Sequence, residues 1–327
     1  MRRHLQRRGT AVLAAVVSVL ALAGCGLGTA GGYAPTGTLA GPLEDIELED
    51  ASLAVGSKNF TEQLLLGKIA VILLKSAGAD VEDLTNIPGS ASARAAQLEG
   101  QVDMQWEYTG TAWISYLGHE NGIPDEEKQY QAVRDEDLKK NDLVWLPPAP
   151  MNNTYGFATP KETAKKLGVS KLSDLAKIPV EQRTFCVESE FANRNDGLQP
   201  MLKTYDIPLG AGVPRDNLKT LSTGAIYAAT DQGVCNFGEI FTTDGRIKAL
   251  DLQVLEDDRD FFPAYNVCPV IRQETMEAYP DLEKLFNPVA AKLDDETLIT
   301  LNARIDVDGE RPADVALDWL TDEGFLD

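Results

Sequence analysis

Residues 51–86 read ASLAVGSKNFTEQLLLGKIAVILLKSAGADVEDLTN, and this stretch decides the fold. The apolar run at 51–55 predicts a strand, and the Gly-Ser-Lys-Asn sequence that follows predicts a turn. Residues 60–77 carry leucines and isoleucines near helical spacing, and the glycine that follows marks the end of a helix. Residues 81–86 predict a second strand. This order of strand, helix and strand indicates an α/β fold with a largely parallel sheet.

The alternation continues beyond this stretch and then begins again. Helices are predicted at 90–99 and 109–117 with a strand at 102–106, and a second α/β unit follows the prolines at 147, 148 and 150. A strand at 265–271 returns to the first unit, and three helical stretches end the chain. We therefore expect two α/β lobes joined by a two-crossing hinge, with a ligand cleft at the carboxyl ends of the strands. The predicted boundaries are 49–150 with 268–327 for lobe I, and 151–267 for lobe II.

The N-terminus has the pattern of a lipoprotein signal peptide. Four arginines within residues 2–8 precede an uncharged apolar run at 11–22, which is short for a membrane span. The sequence Leu-Ala-Gly-Cys then ends at Cys25, the predicted site of lipidation. Residues 1–24 are thus predicted as the signal peptide, and residues 25–48, rich in Gly, Ala, Thr and Pro, as a flexible lipidated tether. A plain secretory signal with a chance cysteine is one alternative, and a single uncleaved anchor, which the short apolar run disfavours, is another.

The charge and the residue composition disfavour several classes of function. The formal net charge is −21, and loss of the arginine-rich signal makes the mature chain more negative still. This charge disfavours binding to nucleic acid. Histidine occurs only at His4 and His119, so no metal site is predicted, and no nucleophile-elbow or P-loop motif is present. We expect no cofactor and no enzymatic activity.

Three cysteines remain in the chain when Cys25 is lipidated. Cys186 and Cys235 each lie in a short run typical of a strand, and they can form a disulfide if the two strands are neighbours. Cys268 is a rival partner for either of them. The sequence leaves this choice open.

Four segments together resemble one protein family. They are GSKNFTEQ at 56–63, EYTGT at 107–111, NNTY at 152–155 and TDGRI at 243–247. In this order and spacing the chain resembles the substrate-binding proteins of osmoprotectant ABC importers, which bind glycine betaine, choline, carnitine and related quaternary amines. The resemblance implies a type II periplasmic-binding-protein fold, a quaternary amine or zwitterion as ligand, an ABC permease as membrane partner, attachment to the membrane through the N-terminal lipid, and a monomer.

Family members hold the ammonium group in a box of aromatic rings, because a quaternary cation has no N–H to donate and ring faces attract it. The resemblance places Tyr108 in this box, and it places Lys58, Ser90 and Arg194 where polar ligand groups are met. The chain departs from the family where Leu198 and Phe241 stand in place of tyrosines. The predicted ligand-binding residues are Lys58, Asn59, Ser90, Trp106, Tyr108, Tyr155, Arg194 and Phe241.

Three other functions are alternatives to solute capture for an importer. Two of them keep the fold: a sensing or scaffold lipoprotein that does not transport, and a receptor for a different small polar solute. The third is an extracellular enzyme, which the scarcity of histidine and the absence of nucleophile motifs disfavour.

Overall fold

The computed structural model describes residues 32–327, and every structural statement below concerns this part of the chain. The predicted signal peptide and Cys25 lie outside it. The strands of the described part are β1 (Ser52–Lys58), β2 (Asp80–Ile87), β3 (Met104–Tyr108), β4 (Leu143–Trp145), β5 (Tyr155–Pro160), β6 (Phe185–Val187), β7 (Leu218–Thr220), β8 (Phe237–Phe241), β9 (Leu252–Val254) and β10 (Val267–Arg272).

Helices connect these strands and cover the faces of the sheets. They are α1 (Thr61–Ser76), α2 (Ser90–Leu98), α3 (Thr109–Thr111), α4 (Glu126–Asn141), α5 (Lys161–Leu167), α6 (Ser189–Asn193), α7 (Leu198–Thr204), α8 (Thr223–Asp231), α9 (Arg246–Ala249), α10 (Gln273–Ala278), α11 (Asp281–Ala290), α12 (Asp295–Asp306) and α13 (Pro312–Asp322). A π-helical turn at Ala112–Tyr116 continues α3.

The strands form two five-stranded sheets. The first has the order β2-β1-β3-β10-β4 and the second the order β7-β6-β8-β5-β9. We call the parts of the chain built on them lobe I and lobe II. The chain leaves lobe I after β4 and returns at β10, so it crosses between the lobes twice.

In each sheet four strands run in one direction and one runs against them, so the largely parallel sheet predicted from the sequence is confirmed, with one antiparallel strand that the sequence did not predict. Strand β1 is parallel to β2 and β3, but β10 is antiparallel to β3 and β4. In lobe II, β5 is likewise antiparallel to β8 and β9. The reason lies in the crossings. A chain that enters a lobe from the hinge starts its first strand at the edge where the parallel strands end, so it must run against them.

Helix α1 is buried on nearly all sides. It packs against β1 and β2 on one side and α13 on the other, and Leu65, Leu66, Ile69 and Leu73 are fully buried. A helix that is apolar all round belongs in a core, and truncating one such leucine to alanine costs about 2–5 kcal/mol. This helix fixes the direction in which the β1–α1 turn faces the cleft.

The predicted flexible tether is too long. Leu39, Leu43, Ile46 and Leu48 are all buried in the core of lobe I, and Leu39 pairs with Leu326 near the end of the chain. These four apolar residues recur among the polar residues of the segment and cover the lobe beside α11 and α13. Residues 39–48 therefore belong to the folded lobe I and not to a tether.

Lobe II contains a disulfide between Cys186 and Cys235, with 5.7 Å between their Cα atoms. Cys186 lies in β6, and Cys235 lies just before β8, the parallel neighbour of β6. Cys268, the rival partner in the sequence, is a buried free thiol in β10 of lobe I. The bridge thus closes within one lobe and does not connect the two.

Candidate ligand-binding site

A cavity of about 590 Å³ lies between the lobes. Lys58 ends β1, Tyr108 ends β3, Phe241 ends β8, and Tyr155 begins β5; all four side chains line the cavity. The ends of strands from both sheets therefore meet at one place, which is where α/β sheets commonly bind ligands.

Aromatic rings from both lobes line the cavity. Phe60 stacks on Phe241 with 5.1 Å between ring centroids and on Tyr108 with 6.2 Å. Tyr155 lies 5.3 Å from Phe241 and meets the ring of Tyr265 edge-on at 5.6 Å. Because these contacts join residues of both lobes, the aromatic wall depends on how far the cleft is closed. We call these five residues the aromatic cluster.

The hydroxyl of Tyr108 is fixed from behind by Glu62. It donates to Glu62 Oε1 at 2.7 Å, and Glu62 is only 2 % exposed. Burial raises the pKa of Tyr108 well above its usual value, and the neighbouring Glu62 charge adds to this effect. The hydroxyl is therefore protonated and engaged, which leaves the ring of Tyr108 as the surface presented to the cavity.

Glu62 also joins the lobes to each other. Its Oε1 accepts from Asn153 in the first crossing at 2.8 Å, and its Oε2 accepts from Thr243 of lobe II at 2.5 Å and from Asn302 of α12 at 3.2 Å. Burial raises the pKa of Glu62, although its four donors act in the opposite sense. This buried carboxyl thus holds together lobe I, lobe II and the segment between them.

Lys58 lines the cavity, but its charge is already paired. Its Nζ lies 2.5 Å from Glu107 Oε1 and 4.7 Å from the centroid of the Tyr108 ring. Glu107 also accepts from the Tyr116 hydroxyl at 2.7 Å. Lys58 therefore packs against the ring of Tyr108, and its positive charge is neutralised by Glu107.

Asn59 and Ser90 lie in the cavity wall where α2 begins. Asn59 Oδ1 accepts from the backbone N–H of Gly89 at 3.3 Å, and the backbone N–H of Ser90 donates to Glu190 Oε2 of lobe II at 2.9 Å. Neither Asn59 nor Thr61 caps α1, because the N-cap residue is Phe60 and makes no side-chain cap. Thr61 donates to Asp306 instead, at 2.7 Å.

Arg194 lies behind the wall. Its guanidinium donates to both carboxylate oxygens of Asp196, at 2.7 and 2.6 Å, and to Glu190 at 3.1 Å. Its Cζ lies 5.4 Å from the centroid of the Tyr155 ring. The role predicted for Arg194, a direct contact with the ligand, is therefore not what this arrangement provides. Asp196, two residues later in the chain, accepts two hydrogen bonds from the planar guanidinium in a bidentate pair.

Trp106 and Leu198 also lie away from the cavity. Trp106 is fully buried in lobe I, with its ring edge-on to Phe286 at 6.1 Å. It precedes Tyr108 by two residues on the same strand face, which sets it back from the end of the sheet by about 7 Å. Leu198 is buried in the core of lobe II. Of the eight predicted residues, the structure brings Lys58, Asn59, Ser90, Tyr108, Tyr155 and Phe241 to the cavity wall.

Sequence reasoning missed several residues that line the cavity. Phe60 follows Asn59 directly, so its position after β1 could have signalled a place in the wall. Tyr265 precedes the strand that returns to lobe I, and Glu190 and Arg246 come from lobe II. Arg246 lies in the TDGRI segment at 243–247. For Tyr265 and Glu190 no local pattern in the sequence marks a cleft, because only the approach of the two lobes brings them there.

Two α/β lobes around a cleft lined with rings define the class of two-lobed solute receptors. Comparison with known proteins supports this class. Residues 51–322 match the family described as the substrate binding domain of the ABC-type glycine betaine transport system. A glycine-betaine-binding protein of Pseudomonas aeruginosa is 40% identical over 284 residues, which cover 84% of this chain and 89% of that protein.

Two further comparisons agree with this result. The glycine betaine-binding protein YehZ of Escherichia coli is 35% identical, over 86% of this chain and 93% of that protein. The solved structure of apo YehZ has a TM-score of 0.62 at 32% identity, over 84% of this chain and 99% of that one. The chain therefore belongs to the family of substrate-binding domains of ABC-type glycine betaine transport systems. Within residues 32–327, no helix has both the length and the apolar character needed to cross a membrane.

Proposed function

We propose that this protein captures a quaternary amine outside the cytoplasm and delivers it to an ABC permease, held to the membrane by a lipid on Cys25. The observation that carries the proposal is the aromatic cluster, whose rings come from both lobes and line a cavity of about 590 Å³. The names of the relatives point to the same class of ligand.

The chemistry of the cavity suits a cation without N–H groups. Aromatic faces attract a quaternary ammonium through the ring quadrupole and need no hydrogen bond from it. Tyr108 presents its ring while its hydroxyl is engaged by Glu62. The cavity is also large enough for a ligand of this size, since small-molecule sites commonly fall between about 300 and 1,000 Å³.

Capture is proposed to occur by closure of the lobes. The lobes, with the boundaries predicted from the sequence apart from the longer N-terminal part of lobe I, are inferred to move as units about the two crossings. Phe60 and Tyr108 belong to lobe I, whereas Phe241 belongs to lobe II. A ligand that contacts rings of both lobes lowers the free energy of the closed form relative to the open form, and the closed form then docks on the permease.

Isothermal titration calorimetry tests this proposal. The purified mature protein is titrated with glycine betaine, choline and carnitine, and with amino acids as non-quaternary ligands. We expect a quaternary amine to bind, and Tyr108→Ala and Phe241→Ala to weaken its binding at least about tenfold, because each removes one ring face.

Tyr279→Ala is the matched control. Tyr279 is half-buried and donates to the backbone carbonyl of Asp50, two residues before β1, whereas the cavity lies at the other end of that strand, at Lys58. Its loss should leave the affinity unchanged. A folded wild-type protein that binds none of the quaternary amines would contradict the proposed ligand class and leave the fold assignment untouched.

A further inference from the structure

Glu190 of lobe II crosses the cleft to lobe I. Its Oε2 accepts from the backbone N–H of Ser90, the first residue of α2, at 2.9 Å, and its Oε1 accepts from Arg194 at 3.1 Å. Backbone N–H groups at the start of a helix are a favourable place for a carboxylate. Here a carboxylate of the protein itself already takes the N–H of Ser90, within the wall of the ligand cavity.

The cations of the cavity wall are also engaged. The described lining contains two, Lys58 and Arg246. Lys58 pairs with Glu107 at 2.5 Å. Arg246 pairs with Asp244 through two hydrogen bonds and lies 3.3 Å from Asp306. A ligand carboxylate must therefore compete with carboxylates of the protein for any positive charge in this wall.

The lobe II side of the wall is acidic. Glu188 and Glu190, two residues apart, both line the cavity. Burial alone raises the pKa of Glu190, but the hydrogen bonds from Ser90 and the charges of Lys58 and Arg194 outweigh it, so this pKa lies below its usual value. Glu190 is thus ionised at neutral pH. Its charge attracts a cation held by the aromatic cluster and repels an anionic group on the same ligand.

We propose that Glu190 is a specificity-determining residue that occupies the position a ligand carboxylate would take. It thereby favours quaternary ammonium compounds whose other polar group is neutral, such as a hydroxyl, over zwitterions that carry a carboxylate. This inference rests on the proposed function, because it takes the aromatic cluster as the site of the ammonium group.

The test compares choline with glycine betaine, which share the trimethylammonium group and differ in a hydroxyl against a carboxylate. Both are titrated by calorimetry into the purified mature protein and into Glu190→Gln, at one ionic strength. Glutamine keeps the shape and a carbonyl acceptor for Ser90 but removes the charge. We expect choline to bind the wild type more tightly, and the ratio of the betaine Kd to the choline Kd to fall about tenfold in Glu190→Gln.

Glu162→Gln is the control in the same lobe. Glu162 is an exposed carboxylate of α5 and is not among the residues that line the cavity. Its substitution should leave the ratio unchanged, since an exposed charge away from the cavity is screened by salt. If Glu190→Gln does not fold, Glu190→Ala is measured in its place, and the same fall in the ratio is expected because the charge is again removed.

The outcomes separate the two proposals. An unchanged ratio in a folded Glu190→Gln protein that binds both ligands overturns the role of Glu190 and leaves the proposed function standing. Tighter binding of glycine betaine than of choline by the wild type also overturns it. A folded wild type that binds no quaternary amine overturns the proposed function and this inference together.

Discussion

The two walls of the cleft are built in different ways. The lobe I wall rests on buried carboxyls, since Glu62 and Glu107 are 2 % and 1 % exposed and hold Tyr108 and Lys58 from behind. The lobe II wall ends in the short helix α6, where Ser189 is exposed and Glu188 and Glu190 are half-buried. Lobe II has a covalent bridge instead, between Cys186 and Cys235.

This difference separates two tasks of a binding cleft. In lobe I, buried hydrogen bonds fix the ring of Tyr108 before any ligand arrives, so little ordering is needed on binding. In lobe II, side chains near the surface reach across to lobe I and can part from it when the cleft opens. Glu62 connects the two walls, because it accepts hydrogen bonds from residues of both lobes.

Removal of the disulfide should have the largest effect on stability. The bridge closes a loop with a sequence separation of 49 residues, and loop-closure entropy predicts a loss of about 4 kcal/mol for Cys186→Ala/Cys235→Ala. Thermal unfolding followed by calorimetry should show lobe II melting first. As a control, a reductant should lower the Tm of the wild type but not that of the double variant. Equal melting of the wild type with and without reductant would contradict this prediction.

Glu62→Ala should have the next largest effect on stability, because it removes the acceptor of four buried donors at once. Unsatisfied buried donors cost about 1–3 kcal/mol each, and relaxation and entry of water should limit the total to roughly 3 kcal/mol. Denaturant unfolding measures this loss, and affinity for the ligand should fall with it as the Tyr108 ring loses its fixed position.

Glu162→Ala is the matched control for this substitution. Glu162 is also the second residue of its helix, α5, but it is exposed. Its loss should change the stability by less than about 0.5 kcal/mol. Similar effects of the two substitutions would mean that the network around Glu62 does not hold the lobes together.

The smallest effect for a single step, at most about 1.4 kcal/mol per pH unit, concerns the pH dependence of stability and the lobe II wall. Glu239 of β8 accepts from the backbone N–H of Glu188, and burial raises its pKa to about 8. The folded protein then holds this proton in a pH range where the unfolded chain releases it. Stability should therefore fall as the pH rises from about 4.5 to about 8, by at most about 1.4 kcal/mol per pH unit, and level off above that.

Chemical denaturation between pH 4.5 and 9 measures this slope. Glu239→Gln has no acidic side-chain proton. The decrease in stability attributed to Glu239 should therefore be absent from the pH profile of this variant. Glu162→Gln, an exposed carboxyl of the same lobe, should keep the slope of the wild type. An identical slope in Glu239→Gln and the wild type would show that the Glu239 carboxyl does not retain its proton.

The strands and helices were predicted where burial leaves a repeating pattern. The helix expected at 60–77 is α1, and the strand expected at 81–86 is β2. Helix α4 escaped prediction, because two of the four residues it buries are Gln129 and Asp137. Asp137 lies inside because it pairs with Arg94 and accepts from Trp145. A polar network of this kind replaces the apolar spacing that marks a helix in the sequence.

The site was predicted best where a residue lies next to the carboxyl end of a strand. Lys58, Tyr108 and Phe241 each end a strand and line the cavity. Arg194 was predicted as a ligand-binding residue from the family resemblance alone. Trp106 was predicted only because it lies close to Tyr108 in the sequence. Neither argument contains the information that Asp196 takes the guanidinium of Arg194, or that Trp106 lies two residues back from the end of the sheet.

The sequence by itself determined the α/β architecture, the two crossings and the strand ends from which the site is built, because backbone periodicity and turn residues act over short distances. Only the tertiary structure decided which charges are free and which are paired. Lys58 meets Glu107 and Glu190 meets Ser90 across separations of 49 and 100 residues. Such pairs depend on how the two lobes fold and approach each other. No local pattern of residues predicts a contact between positions so far apart in the sequence.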